Sequence, residues 1–355
     1  MCNVSRRNFL AVGAGAFLAS STEEELLAGV QPLAKLPAGV HEVAPDVYFY
    51  EADLAASGHC NSGWVIFDDY VLVVDANYPD AARELVRTIR LLTDKPIRFA
   101  FDTHHHGDHA YGNQVWHEHG ATAVAHTGVL EEMKRYETGH FGGPPGRWEA
   151  EAKTRRDVRE SRLKPPSLLF PDRLFVDDGK HRVELVHFGV GHTRGDAFAW
   201  LPGERILFSG DACVNGPYNF VGDGDVGQWI RMLDAPKKLG ARLLCPGHGT
   251  RGTAEILDDQ QLYFQTLVDL VERRVVRRPV EQARSAIEPL RAELRTLPRV
   301  GRYVGPTPSA GGEWDAFPAQ VEKVYHELTG RTLAGSSAAA EHARRLHAHA
   351  HGHHA

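Results

Sequence analysis

Thr103-His104-His105-His106-Gly107-Asp108-His109 places three imidazoles and a carboxylate in a His-x-His-x-Asp-His pattern. Neither a packed core nor a solvated loop asks for so many ligands. Neutral imidazole and carboxylate are the donors that zinc and other borderline divalent metals prefer. In an extended segment, residues two apart point the same way, so His104 and His106 can grip one ion together. A tight turn at Gly107 lets Asp108 and His109 face a second ion. The intervening His105 points away and is not counted as a ligand.

Around this stretch, period-two alternation predicts strands over 40–51, 63–67 and 70–75, with a turn at Asp68-Asp69. Apolar spacing predicts a helix over 81–92, and 97–103 reads as the buried strand that delivers the histidines. A helix over 108–117, a strand over 122–125 and a helix over 128–136 follow. Residues 138–166 break the pattern, and Gly142-Gly143-Pro144-Pro145-Gly146-Arg147-Trp148 is a loop by composition. Strands are expected again over 167–176, 181–188, 196–201 and 205–209. A helix over 225–239, a strand over 242–245 and a helix over 253–274 come next. Residues 279–330 are helix-rich, with a Gly/Pro loop at 305–312. Two stretches of short, antiparallel-looking strands, each closed by helices, predict an α/β chain of two sheets packed face to face with helices outside.

At 355 residues the chain can bury a substantial core, and a formal charge of -6 with no basic stripe argues against a nucleic-acid partner. Ser5-Arg6-Arg7-Asn8-Phe9-Leu10 and the apolar run after it resemble a twin-arginine export signal, with cleavage near 19–21. That run is too short for a permanent membrane anchor. The reading predicts export by the twin-arginine machinery to the periplasm or beyond. Past the signal, Cys60, Cys213 and Cys245 make no disulfide framework. The domain expectation is a signal over 1–21, a catalytic domain over 38–275, a helical extension over 279–330 and a disordered tail over 331–355. That tail carries His342, His347, His349, His351, His353 and His354, either a metal-gathering tract or a solvated one.

Four more short motifs fall at expected strand ends: Val74-Asp75, Gly191-His192-Thr193-Arg194-Gly195-Asp196, Ser209-Gly210-Asp211 and Pro246-Gly247-His248-Gly249. Together with His104-x-His106-x-Asp108-His109 they resemble, in order and glycine context, the motif series of the metallo-β-lactamase superfamily over residues 40–250. The resemblance implies an αββα sandwich, two packed mixed sheets with outer helices and a C-terminal helical extension, with metals at one edge of the sheets. It assigns His104, His106 and His192 to a first metal, Asp108, His109 and His248 to a second, and Asp211 to a bridge between them. Seven such donors suffice for two ions that each keep an open position, as a catalytic site needs. The expected cofactor is two zinc ions, with iron and manganese as the other candidates. Asp75 is expected to orient a ligating imidazole, a strand-end turn being the alternative; Asp196 has the same ambiguity.

Two nearby ions lower the pKa of a shared water to about 7 and so provide a bridging hydroxide. The expected reaction is hydrolysis of an ester, thioester or lactam-like small molecule, with Asp108 as the residue that orients the nucleophile or receives its proton. Asp211 in a Ser-Gly-Asp context looks more like the glyoxalase II or general hydrolase branches than zinc β-lactamases with a cysteine ligand there. Against glyoxalase II stand the export signal and the lack of a recognisable basic glutathione-binding C-terminal domain. Export is similar to the zinc metallohydrolases of quinoprotein relay systems. A true zinc β-lactamase, a mononuclear iron sulfur dioxygenase-like oxidoreductase and a non-catalytic metal-binding protein stand as alternatives. The 138–166 insert is either a candidate lid, through His140, Phe141 and Trp148, or a solvated insertion that packs Trp148 onto the surface. Tyr218 and Asn219 are candidate pocket residues, and Cys213 reads as packing. Oligomeric state is not legible.

Overall fold

The computed structural model describes residues 36–52, 60–309 and 312–333. The export-signal and His-rich-tail readings lie outside the described residues. Strand β1 (Val40–Ala44) turns back on β2 (Val47–Tyr50), and β3 (Ser62–Ile66) and β4 (Val71–Val74) continue the antiparallel meander. Helix α1 (Pro79–Arg90) then leads to β5 (Ile97–Asp102), α2 (Gly107–Ala110) and α3 (Asn113–Glu118). After β6 (Thr122–His126) and α4 (Thr127–Tyr136) come the insert helices α5 (Arg147–Glu151) and α6 (Arg156–Arg159), then β7 (Leu168–Phe170). These seven strands form one sheet in chain order, with β4 to β7 parallel.

The second sheet has the order β12-β11-β10-β9-β8, built from β8 (Arg173–Asp177), β9 (Arg182–Val186), β10 (Phe198–Leu201), β11 (Ile206–Gly210) and β12 (Leu243–Pro246). Only its β11–β12 pair is parallel. Between β11 and β12 lie α7 (Val226–Met232) and α8 (Asp234–Lys237). The chain ends in α9 (Glu255–Val271), the short α10 (Val280–Ala283), α11 (Ile287–Arg295), a hairpin of β13 (Thr307–Ser309) and β14 (Gly312–Trp314), and α12 (Phe317–Thr329).

Alternating side chains explain why two layers suffice. Phe49, Val65, Phe101 and Phe170 from the first sheet meet Leu185, Ala199, Leu201 and Phe208 from the second in one buried cluster. The intervening residues Phe198, Trp200, Leu207 and Leu244 face the other way, into a core with Trp229, Phe264, Leu290 and Val321. The C-terminal helices therefore cover the outer face of the second sheet.

Several elements differ from expectation. The 40–51 strand is two strands, because Asp46 takes a φ of 61° and turns the chain. The 108–117 helix breaks at Tyr111-Gly112, and 225–239 breaks at Leu233, ahead of Pro236. Pro171 ends β7, and the chain leaves one sheet for the other within 167–176. The 305–312 loop contains the first strand of a hairpin. Both sheets are mixed, as the resemblance implies: the β4–β7 block is parallel beside the antiparallel meander, and α1 and the α2–α3 and α4 segments supply the crossovers that parallel pairing needs.

Candidate metal centre

Four strand ends converge on one edge of the sandwich. Asp75 follows β4, the histidine stretch follows β5, Asp211 follows β11 and His248 lies two residues beyond β12. His192 enters from the loop between β9 and β10. Close approach requires glycine at two of these ends. A Cβ on Gly210, whose φ is 48°, would lie 2.2 Å from Thr103 Oγ1, and one on Gly247 would lie 2.1 Å from Asp211 Oδ1.

All seven expected donors come together. His104, His106 and His192 form one cluster, and Asp108, His109 and His248 another, with donor atoms within 4.8 Å of one another in each. Asp211 touches both: its Oδ2 lies 3.7 Å from His192 Nε2 and 3.3 Å from His248 Nε2, and its Oδ1 lies 3.4 Å from His109 Nε2. Asp108 Oδ2 is 3.2 Å from His248 Nε2 and 3.6 Å from His109 Nε2. The Asp108 side chain is 24% exposed whereas His109 is fully buried, so the edge opens on the Asp108 side.

The outer nitrogens decide what the inner ones can do. His106 Nε2 donates to Asp223 Oδ2 at 2.8 Å, and His192 Nδ1 donates to the Phe220 carbonyl at 2.8 Å. Thr103 Oγ1 donates to Asp75 Oδ1 at 2.7 Å, which leaves it to accept from His104 Nδ1 at 3.1 Å. His109 Nδ1 lies 3.0 Å from Asp75 Oδ2. For His104, His106 and His192 the acceptor holds the proton on the outer nitrogen and leaves the inner nitrogen a bare lone pair. His106 Nδ1 and His192 Nε2 then face each other at 2.9 Å. Two lone pairs at that distance call for a cation between or beside them. His104 Nε2, His109 Nε2 and Asp211 Oδ1 are also buried without a hydrogen-bond partner among the described residues. The donor set fits divalent metal.

Electrostatics agree. Burial, reinforced by the neighbouring imidazoles, holds His104 well below the usual histidine range. Burial pushes His106 down to about 3 against the pull of Asp223. Both are therefore neutral ligands at neutral pH. On the other side burial opposes, but Asp211 and Asp108 draw His248 up to about 9. That half of the site demands positive charge.

The remaining candidates separate clearly. Asp75 accepts from Thr103 N at 2.9 Å and Thr103 Oγ1 while facing His109, from a φ of 64°. Asp196 accepts from Thr193 N and Oγ1 and closes the 191–196 turn. Cys213 is buried in the helix-covered core, and Cys60, Cys213 and Cys245 are all unpaired. His105 stacks on Tyr136 at 5.2 Å, away from the first cluster. Tyr218 lies along His248 at 5.7 Å, and Asn219 is buried. Trp148 packs on Tyr111 at 4.7 Å, whereas His140 and Phe141 pack on each other at the exposed tip of the insert.

Sequence reading missed Asp223, Phe220 and Asn61. Gly222-Asp223-Gly224 repeats the Gly-Asp pair that marked Asp211 in Ser209-Gly210-Asp211, and that signal was available. Phe220 acts through its carbonyl, which no side-chain pattern reveals. Asn61 donates to the carbonyls of Pro246 and Gly249 at 2.8 Å each and so braces the His248 turn.

The model of the metallo-β-lactamase superfamily matches residues 56–248, more than half of the chain. The chain belongs to the metallo-β-lactamase superfamily. A type 2 metallo-β-lactamase of Pseudomonas aeruginosa is 29% identical over 104 residues, 28% of this chain and 41% of that protein. The chain thus matches less than half the length of this curated relative. Among solved structures, a metallo-β-lactamase from Pontibacter korlensis superposes with a TM-score of 0.52 at 18% identity, covering 64% of this chain and 98% of that one. The DIM-1 metallo-β-lactamase gives 0.51 at 20% identity over 64% and 96%. These likenesses establish the αββα fold expected for this superfamily.

Proposed function

We propose that this superfamily member is a metal-dependent hydrolase that holds two zinc ions and cleaves an ester, thioester or lactam-like small molecule. The observation that carries the reading is the set of outward-tied imidazoles, above all His106 and His192, whose bare nitrogens face each other at 2.9 Å. In this reading His104, His106 and His192 hold one ion, Asp108, His109 and His248 the other, and Asp211 both. Ions bound there supply a Lewis acid for the scissile carbonyl and a water acidic enough to attack near neutral pH.

The chain's own groups supply the rest. Asp75 and Asp223 fix the imidazole orientations before substrate arrives, and the ring of Phe220, 5.5 Å from His106, helps exclude water from that side. Asp108, the more exposed carboxylate of the site, can orient the attacking water and take its proton on Oδ2. Asp108→Asn should then depress turnover more than substrate affinity.

A true zinc β-lactamase is a second reading, favoured by the stretch shared with the Pseudomonas enzyme. Against it, the bridging position is Asp211 and the nearest cysteine in sequence, Cys213, is buried in the core. A panel of ester, thioester, phosphodiester and chromogenic cephalosporin substrates, run with and without chelator, tests both. Chelator-sensitive turnover of an ester or thioester supports the main reading, and prompt cephalosporin turnover alone replaces it with the second. Silence across the panel from metal-loaded protein would leave a metal-binding protein without hydrolase activity. The twin-arginine-like start further places this activity outside the cytoplasm in our reading. A fusion of residues 1–35 to a reporter exported only when folded tests that. Among the described residues no helix is long and apolar enough to cross a membrane.

A further inference from the structure

The insert reaches the metal centre through one side chain. Arg147, at the start of α5, gives Nη1 to Asp223 Oδ2 at 2.6 Å and Nη2 to Asp223 Oδ1 at 2.9 Å. The same Oδ2 accepts from His106 Nε2 at 2.8 Å, and His105 Nε2 stands 3.5 Å away. Asp223 is buried, with its side chain 1% exposed. The guanidinium lies flat on Tyr136, 3.6 Å from the ring centroid. Its fork is committed to Asp223 and its face to Tyr136.

The insert is built to keep that arginine in place. Trp148 N donates to Glu137 Oε2 at 2.7 Å, Glu149 Oε2 accepts from Gly146 N at 2.7 Å, and Thr138 Oγ1 donates to the Pro144 carbonyl at 2.8 Å. The base of the insert is thus fastened, and its exposed tip is the part left to solvent.

Held by His106 and touched also by His105 and Tyr136, the carboxylate alone keeps freedom to turn about its own bond and loosen Nε2. The bidentate fork removes that freedom, because a guanidinium and a carboxylate pair in one plane. We propose that Arg147 is a positioning residue for the first metal. It locks Asp223 so that the His106 proton stays on Nε2 and Nδ1 faces the ion. This inference rests on the metal reading above, and it makes the insert a determinant of metal retention as well as a candidate lid.

The test measures zinc affinity by competition with a chromophoric chelator on the full chain, and the His106 tautomer by nitrogen NMR of zinc-loaded protein. Arg147→Ala should weaken one of the two zinc affinities by roughly tenfold, at the low end for an outer partner of a ligating histidine, and leave the other unchanged. The Nε2-protonated signature of His106 should broaden or shift. Arg147→Lys should restore part of the loss, and Asp223→Asn, which keeps the shape, should weaken the same ion. Asp75→Asn should weaken the other ion and so assign the two. If the wild-type chain takes up no zinc, the metal reading itself fails. If it takes up two, and Arg147→Ala and Asp223→Asn leave both affinities and the tautomer unchanged or lower both affinities equally, this inference alone is overturned.

Discussion

The two halves of the metal centre are held by different parts of the molecule. His109 is tied to Asp75 at the end of β4, Cys60 Sγ donates to the Asp108 carbonyl at 2.8 Å, and Asn61 braces the His248 turn. These supports sit beside the central strands of the first sheet. His106 and His192, in contrast, are held by Asp223 and the Phe220 carbonyl, both on the loop before α7. That loop is fastened from outside: Gln320 of α12 donates to the Asn219 carbonyl at 2.6 Å, and Glu327 of α12 accepts from Val226 N at 3.1 Å. Arg147 of the insert completes the frame. One half is thus held by the sandwich; in the other, His104 is held by the sandwich through Thr103 and Asp75, and His106 and His192 by what has been added to it. The C-terminal helices and the insert are parts of the site's scaffolding.

Breaking the element common to both halves should have the largest effect. Asp211→Ala removes the carboxylate that touches both clusters, and turnover should fall by more than about a hundredfold, the upper end for outer partners alone. Metal analysis should show loss from both positions. Asp75→Asn comes next. Asparagine tolerates the positive φ, so the fold should survive while the second ion weakens by about tenfold to a hundredfold, read by chelator competition.

The other half can be loosened from far away. Gln320→Leu strands the Asn219 carbonyl and the Tyr263 hydroxyl that bonds to Gln320. It should cost about 1–3 kcal/mol of stability, seen in urea unfolding, and weaken the first ion while sparing the second. Equal weakening of both would erase the distinction between the halves.

The smallest effect concerns neither half. Burial and the stacked His187 push His126 down to about 4, with its Nε2 donating to the Pro171 carbonyl and Asp172 the nearby acid. Between pH 4 and the unfolded value near 6.5 the unfolded chain binds the extra proton. His126 therefore supports stability that is present above 6.5 and is lost as pH falls towards 4. His126→Asn, which keeps an acceptor for Gly128 N, should flatten stability against pH in that window. An unchanged slope would show that His126 does not titrate there.

Much of this centre was legible because its ligands are chemically unusual. Histidines two residues apart and aspartates that follow a glycine at a strand end are poor packing residues, so His104, His106, Asp108, His109, His192, Asp211 and His248 stood out from the chain. Asp75 was legible as an orienting acceptor, yet its partner was not: nothing local links residue 75 to residue 109. The supports of the first half were hidden for the same reason. Arg147, Asp223 and Gln320 are common polar residues whose role arises only when three distant segments meet. Among elements, strands with clean alternation were readable, whereas the parallel pairing of β4 to β7 depends on tertiary crossovers. The break at Tyr111-Gly112 reflects the Gly112 N–H bonding to the Asn77 carbonyl, again a contact from far along the chain.

The central claim is that one chain holds two catalytic ions. Stepwise zinc addition to chelator-treated protein, with native mass and turnover of the best panel substrate followed together, tests it most directly. Two equivalents should bind, with turnover reaching its plateau only as the second binds. Saturation of both mass and turnover at a single equivalent, or purified protein carrying one iron per chain, would contradict it.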